Sequence, residues 1–424
     1  MEKTVLKNKN GLKGTITIPS DKSISHRAVM FASLAKGKSV INNFSKGQDP
    51  HSSLAICKNL GVNAEFQDET TLIIESDGVL KSPFQNLDCG NSGTTMRLMT
   101  GILAGQNFNS VMVGDESLSK RPMKRVIEPL TLMEAKIDSI DGHAPLHITG
   151  QKLAAIDYNS PLASAQVKSC ILLAGLNANG VTTFTEPYVS RNHTELMLKF
   201  MNADINTSGN KVSIAPSALE PREIHICGDI SSAAYFIVAA LIVPESDIIL
   251  KNVGLNPTRT GLLDVVQFMG GDVEILDKKN VSGEDVGDLR VKYSDLTGCT
   301  IEDGIIPRLI DELPVIAVLA SQARGTTIVR DAGDLRNKES DRIKSVVTEL
   351  KKLGVDIHET SDGFIINGKN KLTGDARLET YHDHRLAMSW YVAGLVCEKP
   401  IVIDGFEWAA ISFPEFVEKF ELLS

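Results

Sequence analysis

Cationic side chains in this chain gather in short runs with Gly, Ser and Thr, the company they keep where a small anion is held. The run Ser20-Asp21-Lys22-Ser23-Ile24-Ser25-His26-Arg27 stands just before the apolar stretch 28–35. A helix starting there offers hydroxyls and backbone N–H groups to an anion, with Lys22 and Arg27 adding charge. The plainer account is a Ser or Asp cap beside two solvated cations. Cys89-Gly90-Asn91-Ser92-Gly93-Thr94-Thr95-Met96-Arg97 reads as a Gly-rich turn into a helix, where backbone amides can approach a phosphate or carboxylate. It is not a Walker A loop, because no Gly-Lys-Ser/Thr closes it. Between Gly114 and Arg125, four cations (Lys120, Arg121, Lys124, Arg125) surround Pro122. Arg121, braced by the proline, is the one best placed to be rigid, and a solvated basic loop is the plainer account.

Other runs carry uncharged polar groups or acids. Ser164-Ala165-Gln166 and Ser190-Arg191-Asn192 supply the donors and acceptors needed to read hydroxyls on a polyol. Asp311, in Ile310-Asp311-Glu312-Leu313-Pro314, precedes an apolar run and fits a helix cap as well as a general base. Lys338-Glu339-Ser340-Asp341-Arg342 alternates charge, as a surface helix also would. In Tyr381-His382-Asp383-His384-Arg385 the two histidines suggest a metal pair, but no third ligand cluster lies nearby at metal-site spacing, so no metal is expected.

The elements that must position these groups repeat. A helix-like apolar stretch, a small or turn-forming segment and a β-rich strand recur six times, with strands starting near Val40, Val111, Val181, Ile248, Thr327 and Ile401. Interleaved with them is a helix end that turns at once into another strand: LGVNAEF from Leu60, MEAKIDSI from Met133, MNADINTS from Met201, MGGDVEIL from Met269 and LGVDIHET from Leu353. The absent sixth copy is expected to be completed by the amino-terminal strand pairing with carboxy-terminal elements. Repeats of about 70 residues are too long for solenoid units and long enough for a βαβ-type unit each. Six units divide three and three. No Pro/Gly/Ser-rich linker separates the halves, so hinge crossings rather than a tether are expected, near Pro19-Ser20 and Cys227-Gly228.

Whole-chain properties narrow the function classes. At 424 residues, with 42% hydrophobic and 23% charged residues, the chain can build two domains with sizeable cores. Lys plus Arg number 44 against 53 for Asp plus Glu, a net charge of −9, which argues against a nucleic-acid partner. Cationic runs within an acidic chain suggest small anionic ligands in a local positive site. There is no run of 18 apolar residues and no signal-peptide pattern, so neither membrane insertion nor export is expected. Six dispersed cysteines without a CxxC fit reduced thiols in a cytoplasmic protein.

Taken together and in order, the seven segments resemble the 5-enolpyruvylshikimate-3-phosphate (EPSP) synthase family, the 3-phosphoshikimate 1-carboxyvinyltransferases, from Lys22 to Arg385. The resemblance implies the enolpyruvyl transferase fold, a two-domain inside-out α/β barrel. Each domain is built of three βαβαββ-like units, and a double crossover closes over the substrates. One domain would comprise residues 1–19 and 228–424, the other 20–227. The implied reaction transfers the enolpyruvyl group of phosphoenolpyruvate to the 5-hydroxyl of shikimate 3-phosphate, in the route to chorismate and aromatic amino acids. Lys22, Ser23, Arg27, Ser164, Gln166, Ser190, Asp311 and Lys338 would contact shikimate 3-phosphate. Lys22, Gly93, Arg121, Gln166, Arg342, His384 and Arg385 would contact phosphoenolpyruvate. Asp311 matches the family's proton acceptor and Glu339 its proposed proton relay, so Asp311, Glu339 and Lys22 are the expected catalytic groups. No cofactor is implied, and a cytoplasmic monomer is expected.

Three positions depart from the family pattern: Ile411 replaces a lysine, Ala165 replaces the second of a serine pair, and Leu98 replaces a proline. The alternative is UDP-N-acetylglucosamine enolpyruvyltransferase, which typically has Lys-Asn near its start and Cys or Asp in the Arg-Pro loop. Here the pair is Lys22-Ser23, and no Cys occurs from Gly114 to Pro122.

Overall fold

A computed structural model of the chain describes residues 1–423. The chain forms two compact units: one of 1–19, 227–280 and 285–424, the other of 20–226 with 281–284. In each unit small sheets surround a core of helices.

The helices of that core are apolar on nearly every side, so only a fully enclosed place suits them. In the first unit these are Ile230–Ile242, Leu313–Gln322 and His384–Gly394, which pack on one another. Every residue of Ile230–Ile242 is buried. In the second unit Gly93–Ala104 packs on Ala165–Gly175, with Lys22–Leu34 beside them. Gly101 lets the first pair approach closely, since a Cβ there would lie 2.1 Å from the Cys170 carbonyl oxygen.

The sheets repeat one pattern. A central strand pairs parallel with one neighbour and antiparallel with the other, and a further antiparallel strand follows. The six repeated segments supply the central strands Lys36–Asn42, Asn109–Val113, Thr182–Thr185, Asp247–Gly254, Gly325–Val329 and Ile401–Asp404. The five interleaved segments supply the outer strands, such as Asn63–Phe66 and Asp356–Glu359. The sixth sheet has three strands, and the amino-terminal Glu2–Val5 pairs antiparallel with Ile401–Asp404 in it.

The five helix-to-strand turns share one backbone solution. Gly61, Glu134, Asn202, Gly270 and Gly354 all take positive φ directly after the helix cap. The next N–H reaches back to a helix carbonyl each time: Val62 to Cys57, Ala135 to Leu130, Ala203 to Leu198, Gly271 to Val266 and Val355 to Leu350, at 2.8–3.2 Å. These are Schellman ends, which favour Gly or Asn at the left-handed position. Among the described residues no helix is long and apolar enough to cross a membrane. The six cysteines are free, and all but Cys299 are buried.

Candidate active site

In the second unit, three helix starts bring the anion-binding candidates together. Asp21 caps the helix Lys22–Leu34 by accepting the Ile24 N–H at 2.8 Å, so the Asp cap and the cationic run coexist. Lys22 is not merely solvated: its Nζ lies 3.0 Å from Asp49 Oδ2. Arg27 is buried, donating from Nη1 to the Ser23 carbonyl at 2.8 Å, from Nε to Thr194 Oγ1 at 2.7 Å and from Nη2 to Ser169 Oγ at 2.9 Å. Burial lowers its pKa to about 10 against the pull of Glu195, Asp21 and Glu284, so it stays protonated at neutral pH.

The Gly-rich turn ends at Ser92, whose hydroxyl accepts the Thr95 N–H at 3.1 Å and caps the helix Gly93–Ala104. Gly93 is therefore the first helical residue, beside N–H groups that face outward. A Cβ at Gly93 would lie 3.0 Å from Arg97 Nη1 and 3.5 Å from Arg121 Nη1. Two guanidiniums thus crowd one helix start. Arg121 Nη2 donates to Asn91 Oδ1 at 2.7 Å, and Asn91 Nδ2 donates to Asp115 Oδ2 at 2.7 Å. Arg97 Nη1 donates to Gln166 Oε1 at 2.5 Å, and Gln166 Nε2 donates to Thr94 Oγ1 at 3.1 Å. Ser164 caps the helix Ala165–Gly175, which carries Gln166. Lys22, Arg97, Arg121 and Gln166 with the Gly93 helix start form an electropositive, donor-rich surface suited to phosphate and carboxylate.

His26 ties two of these helix starts together. Its Nδ1 lies 2.7 Å from Ser53 Oγ, which lies 2.8 Å from Thr95 Oγ1, which in turn donates to Ser92 Oγ at 2.8 Å. Burial pushes the His26 pKa down to about 3, with Asp49 opposing and Lys22 and Arg27 adding to the fall. Unfolded, the imidazole titrates near 6.5. Between about pH 6.5 and 3 the unfolded chain therefore binds a proton that the folded chain refuses. Stability falls as pH falls through that window, by up to about 1.4 kcal/mol per pH unit. His26→Asn, which can keep the bond to Ser53, is expected to remove that increment. Urea midpoints of parent and variant between about pH 7 and 5 measure it, and parallel pH slopes would exclude the effect.

In the first unit, carboxylates and cations interlock. The helix Leu313–Gln322 is preceded by Glu312 without a side-chain cap bond, so Asp311 is not its cap. The Asp311 carboxylate instead faces three cations: Arg342 Nη1 at 3.3 Å, Lys338 Nζ at 3.9 Å and Arg385 Nη2 at 3.7 Å. Arg342 is 1% exposed, which rules out the surface-helix account of its segment. Its guanidinium grips Asp383 through Nε at 2.7 Å and Nη2 at 3.2 Å, and Nη2 also meets Glu339 Oε2 at 2.6 Å. Burial alone would lower the Arg342 pKa, but Asp383 and Glu339 outweigh it and the pKa rises. Arg385 follows the same pattern, with Asp311 the largest of the charges that outweigh its burial.

Asp383 also caps the helix His384–Gly394 by accepting the Arg385 N–H at 2.9 Å. Lys338 lies 3.3 Å from Asp334. His384 is the buried first residue of the capped helix, while His382 stacks on Trp408 with ring centroids 4.8 Å apart. Among the described residues no group of three His, Cys, Asp or Glu is placed to hold a metal. Ile411 ends a short 3-10 helix and offers no charge.

The candidates from the sequence divide between the units: Lys22, Ser23, Arg27, Gly93, Arg121, Ser164, Gln166 and Ser190 lie in the second, and Asp311, Lys338, Glu339, Arg342, His384 and Arg385 in the first. Three participants carry no distinct signal in the sequence: Arg97 and Asn91 stand within the Gly-rich motif with nothing in its pattern to assign them a role, and Asp383 stands between two histidines that suggest metal binding instead.

The chain is similar to known proteins over nearly its whole length. The EPSP synthase (3-phosphoshikimate 1-carboxyvinyltransferase) family matches residues 6–420. The 3-phosphoshikimate 1-carboxyvinyltransferase of Bacillus licheniformis is 50% identical, over 98% of both chains. That of Thermoanaerobacter pseudethanolicus is 49% identical, over 99% of both. A solved EPSP synthase from Acinetobacter baumannii is similar with a TM-score of 0.90 at 42% identity, covering 100% of this chain and 98% of that one. The enolpyruvyl transferase NikO of Streptomyces tendae, 17% identical, shares the fold with a TM-score of 0.80, covering 100% and 97%.

Proposed function

Because the chain belongs to the EPSP synthase (3-phosphoshikimate 1-carboxyvinyltransferase) family, we propose that it transfers the enolpyruvyl group of phosphoenolpyruvate to the 5-hydroxyl of shikimate 3-phosphate. The observation that carries the reading is one buried guanidinium, Arg342, holding both acids that the reaction needs, Asp311 and Glu339. One acid takes a proton from oxygen while the other delivers one to carbon.

In this reading Asp311 accepts the 5-hydroxyl proton as the oxygen attacks C2 of phosphoenolpyruvate. C3 receives a proton by way of Glu339, leaving C2 tetrahedral with the phosphate still attached. Return of a methyl proton restores the double bond to C3 as the C2–O bond to phosphate breaks. Both substrates are polyanions, and their mutual repulsion needs cations arranged in advance. Lys22, Gly93, Arg121, Gln166, Arg342, His384 and Arg385 are assigned to phosphoenolpyruvate. Lys22, Ser23, Arg27, Ser164, Gln166, Ser190, Asp311 and Lys338 are assigned to shikimate 3-phosphate. None of these steps draws on a metal or organic cofactor. The proposal includes a cytoplasmic, monomeric enzyme, and the net charge of −9 argues against a nucleic-acid partner.

Phosphate release from phosphoenolpyruvate, measured with shikimate 3-phosphate and separately with UDP-N-acetylglucosamine, tests the reading. Release is expected with the first acceptor only. Release with the second alone overturns it.

A further inference from the structure

A buried ion triad in the second unit has no role in the chemistry above. Lys168, Glu186 and Glu195 are 1%, 2% and 4% exposed. Lys168 Nζ lies 2.8 Å from Glu186 Oε1 and 2.8 Å from Glu195 Oε1. It also donates to the Ser190 carbonyl at 3.1 Å, while Glu186 Oε1 accepts the Ser190 N–H at 2.8 Å. Both backbone polar groups of Ser190 are therefore held by the triad.

The Ser190 hydroxyl itself is buried with no partner among the described residues. A buried hydroxyl left so is disfavoured unless something else engages it. Lys168 sits on the helix Ala165–Gly175, whose cap is Ser164 and whose second residue is Gln166. Glu195 sits in the first turn of the helix His193–Phe200, next to Thr194, which accepts from Arg27. The triad thus fixes Ser190 against the elements that carry Ser164, Gln166 and the Arg27 anchor. Burying such a network costs desolvation that apolar side chains of similar volume would avoid, so stability alone is a poor account of it.

We propose that Lys168, Glu186 and Glu195 are positioning residues that fix Ser190 so that its hydroxyl meets shikimate 3-phosphate. The inference rests on the assignment of Ser190 above. The triad lines a cavity of about 260 Å³, so neutral side chains of similar length have room.

The test is a mutant cycle on the purified full-length enzyme, with KM measured for each substrate. Ser190→Ala and Lys168→Met are each expected to raise KM for shikimate 3-phosphate by about ten- to a hundredfold, the range of one hydrogen bond to a charged group. KM for phosphoenolpyruvate and kcat should change far less. In the Ser190→Ala background, Lys168→Met should add little, because both act through one hydroxyl. If Lys168→Met does not fold, the triple variant Lys168→Met, Glu186→Gln, Glu195→Gln leaves no buried carboxylate without its cation and takes its place. An unchanged KM in Ser190→Ala overturns the assignment of Ser190 and the inference with it. A raised KM in Ser190→Ala, with either no effect or full additivity for Lys168→Met, overturns the positioning role alone. Equal loss in both KM values and kcat would mark the triad as merely structural.

Discussion

Asp311→Asn is expected to lower kcat by roughly 10²- to 10⁴-fold, the scale of a lost general base, while shikimate 3-phosphate still binds. The substitution keeps shape and a hydrogen-bond acceptor and removes the charge. Asp311 faces Arg342, Lys338 and Arg385, so the neutral amide leaves those cations freer to hold an anionic substrate. Loss of binding is therefore not the expected route to lost activity. Nor is unfolding, because the helix Leu313–Gln322 takes no cap from Asp311. Calorimetric titration with shikimate 3-phosphate, turnover and the thermal midpoint, all on one preparation, separate these effects. Near-normal turnover, or a fall in binding that matches the fall in turnover, would sink the assignment of Asp311 as the base.

The elements were legible in the sequence for a local reason. Five of the six repeats end a helix with a left-handed residue followed by a strand, and both signals lie within about eight residues of chain. Leu60-Gly61-Val62 and Leu353-Gly354-Val355 announce that turn directly. Met133-Glu134 announces it poorly, because Glu is an uncommon left-handed residue, and only the repeat points to a turn there. The cations of the site were legible as types beside small residues, but their partners were not. Lys22 meets Asp49, Arg97 meets Gln166 and Arg342 meets Asp383, at separations of 27, 69 and 41 residues. Only the folded chain sets such pairs. The same limit left Asp311 undecided between cap and base. The run Asp311-Glu312-Leu313-Pro314 allows either acid to precede the helix; in the fold Glu312 does so, both carboxylates lie near Arg385, and it is Asp311 that also meets Arg342.

The most damaging single change to the fold is expected at Asp383, which does two jobs in a place without solvent. Its carboxylate grips Arg342, 1% exposed, through two nitrogens, and it caps the helix His384–Gly394, in which every residue is buried. Asp383→Ala removes both. Breaking a buried ion pair by taking one partner costs about 3–5 kcal/mol, because the other charge stays out of water with poorer company. For a unit of this size that is a fall in Tm of roughly 10 °C, at about 2–4 °C per kcal/mol. Asp383→Asn keeps an oxygen for the Arg385 N–H and should fall short of that loss by about 1 kcal/mol, the worth of a cap. Glu339 and Asp311 remain near Arg342 in both variants, but neither offers the two-nitrogen grip. If the penalty comes from the stranded charge, removing the charge should relieve it. The double variant Asp383→Leu, Arg342→Met is therefore expected to melt above Asp383→Ala while being inactive for lack of the arginine. Scanning calorimetry on the parent and the three variants gives the order parent, Asp383→Asn, Asp383→Ala, with the double variant above the last. A double variant that melts below Asp383→Ala would show that the ion pair stabilises the unit in its own right rather than by avoiding an unpaired charge.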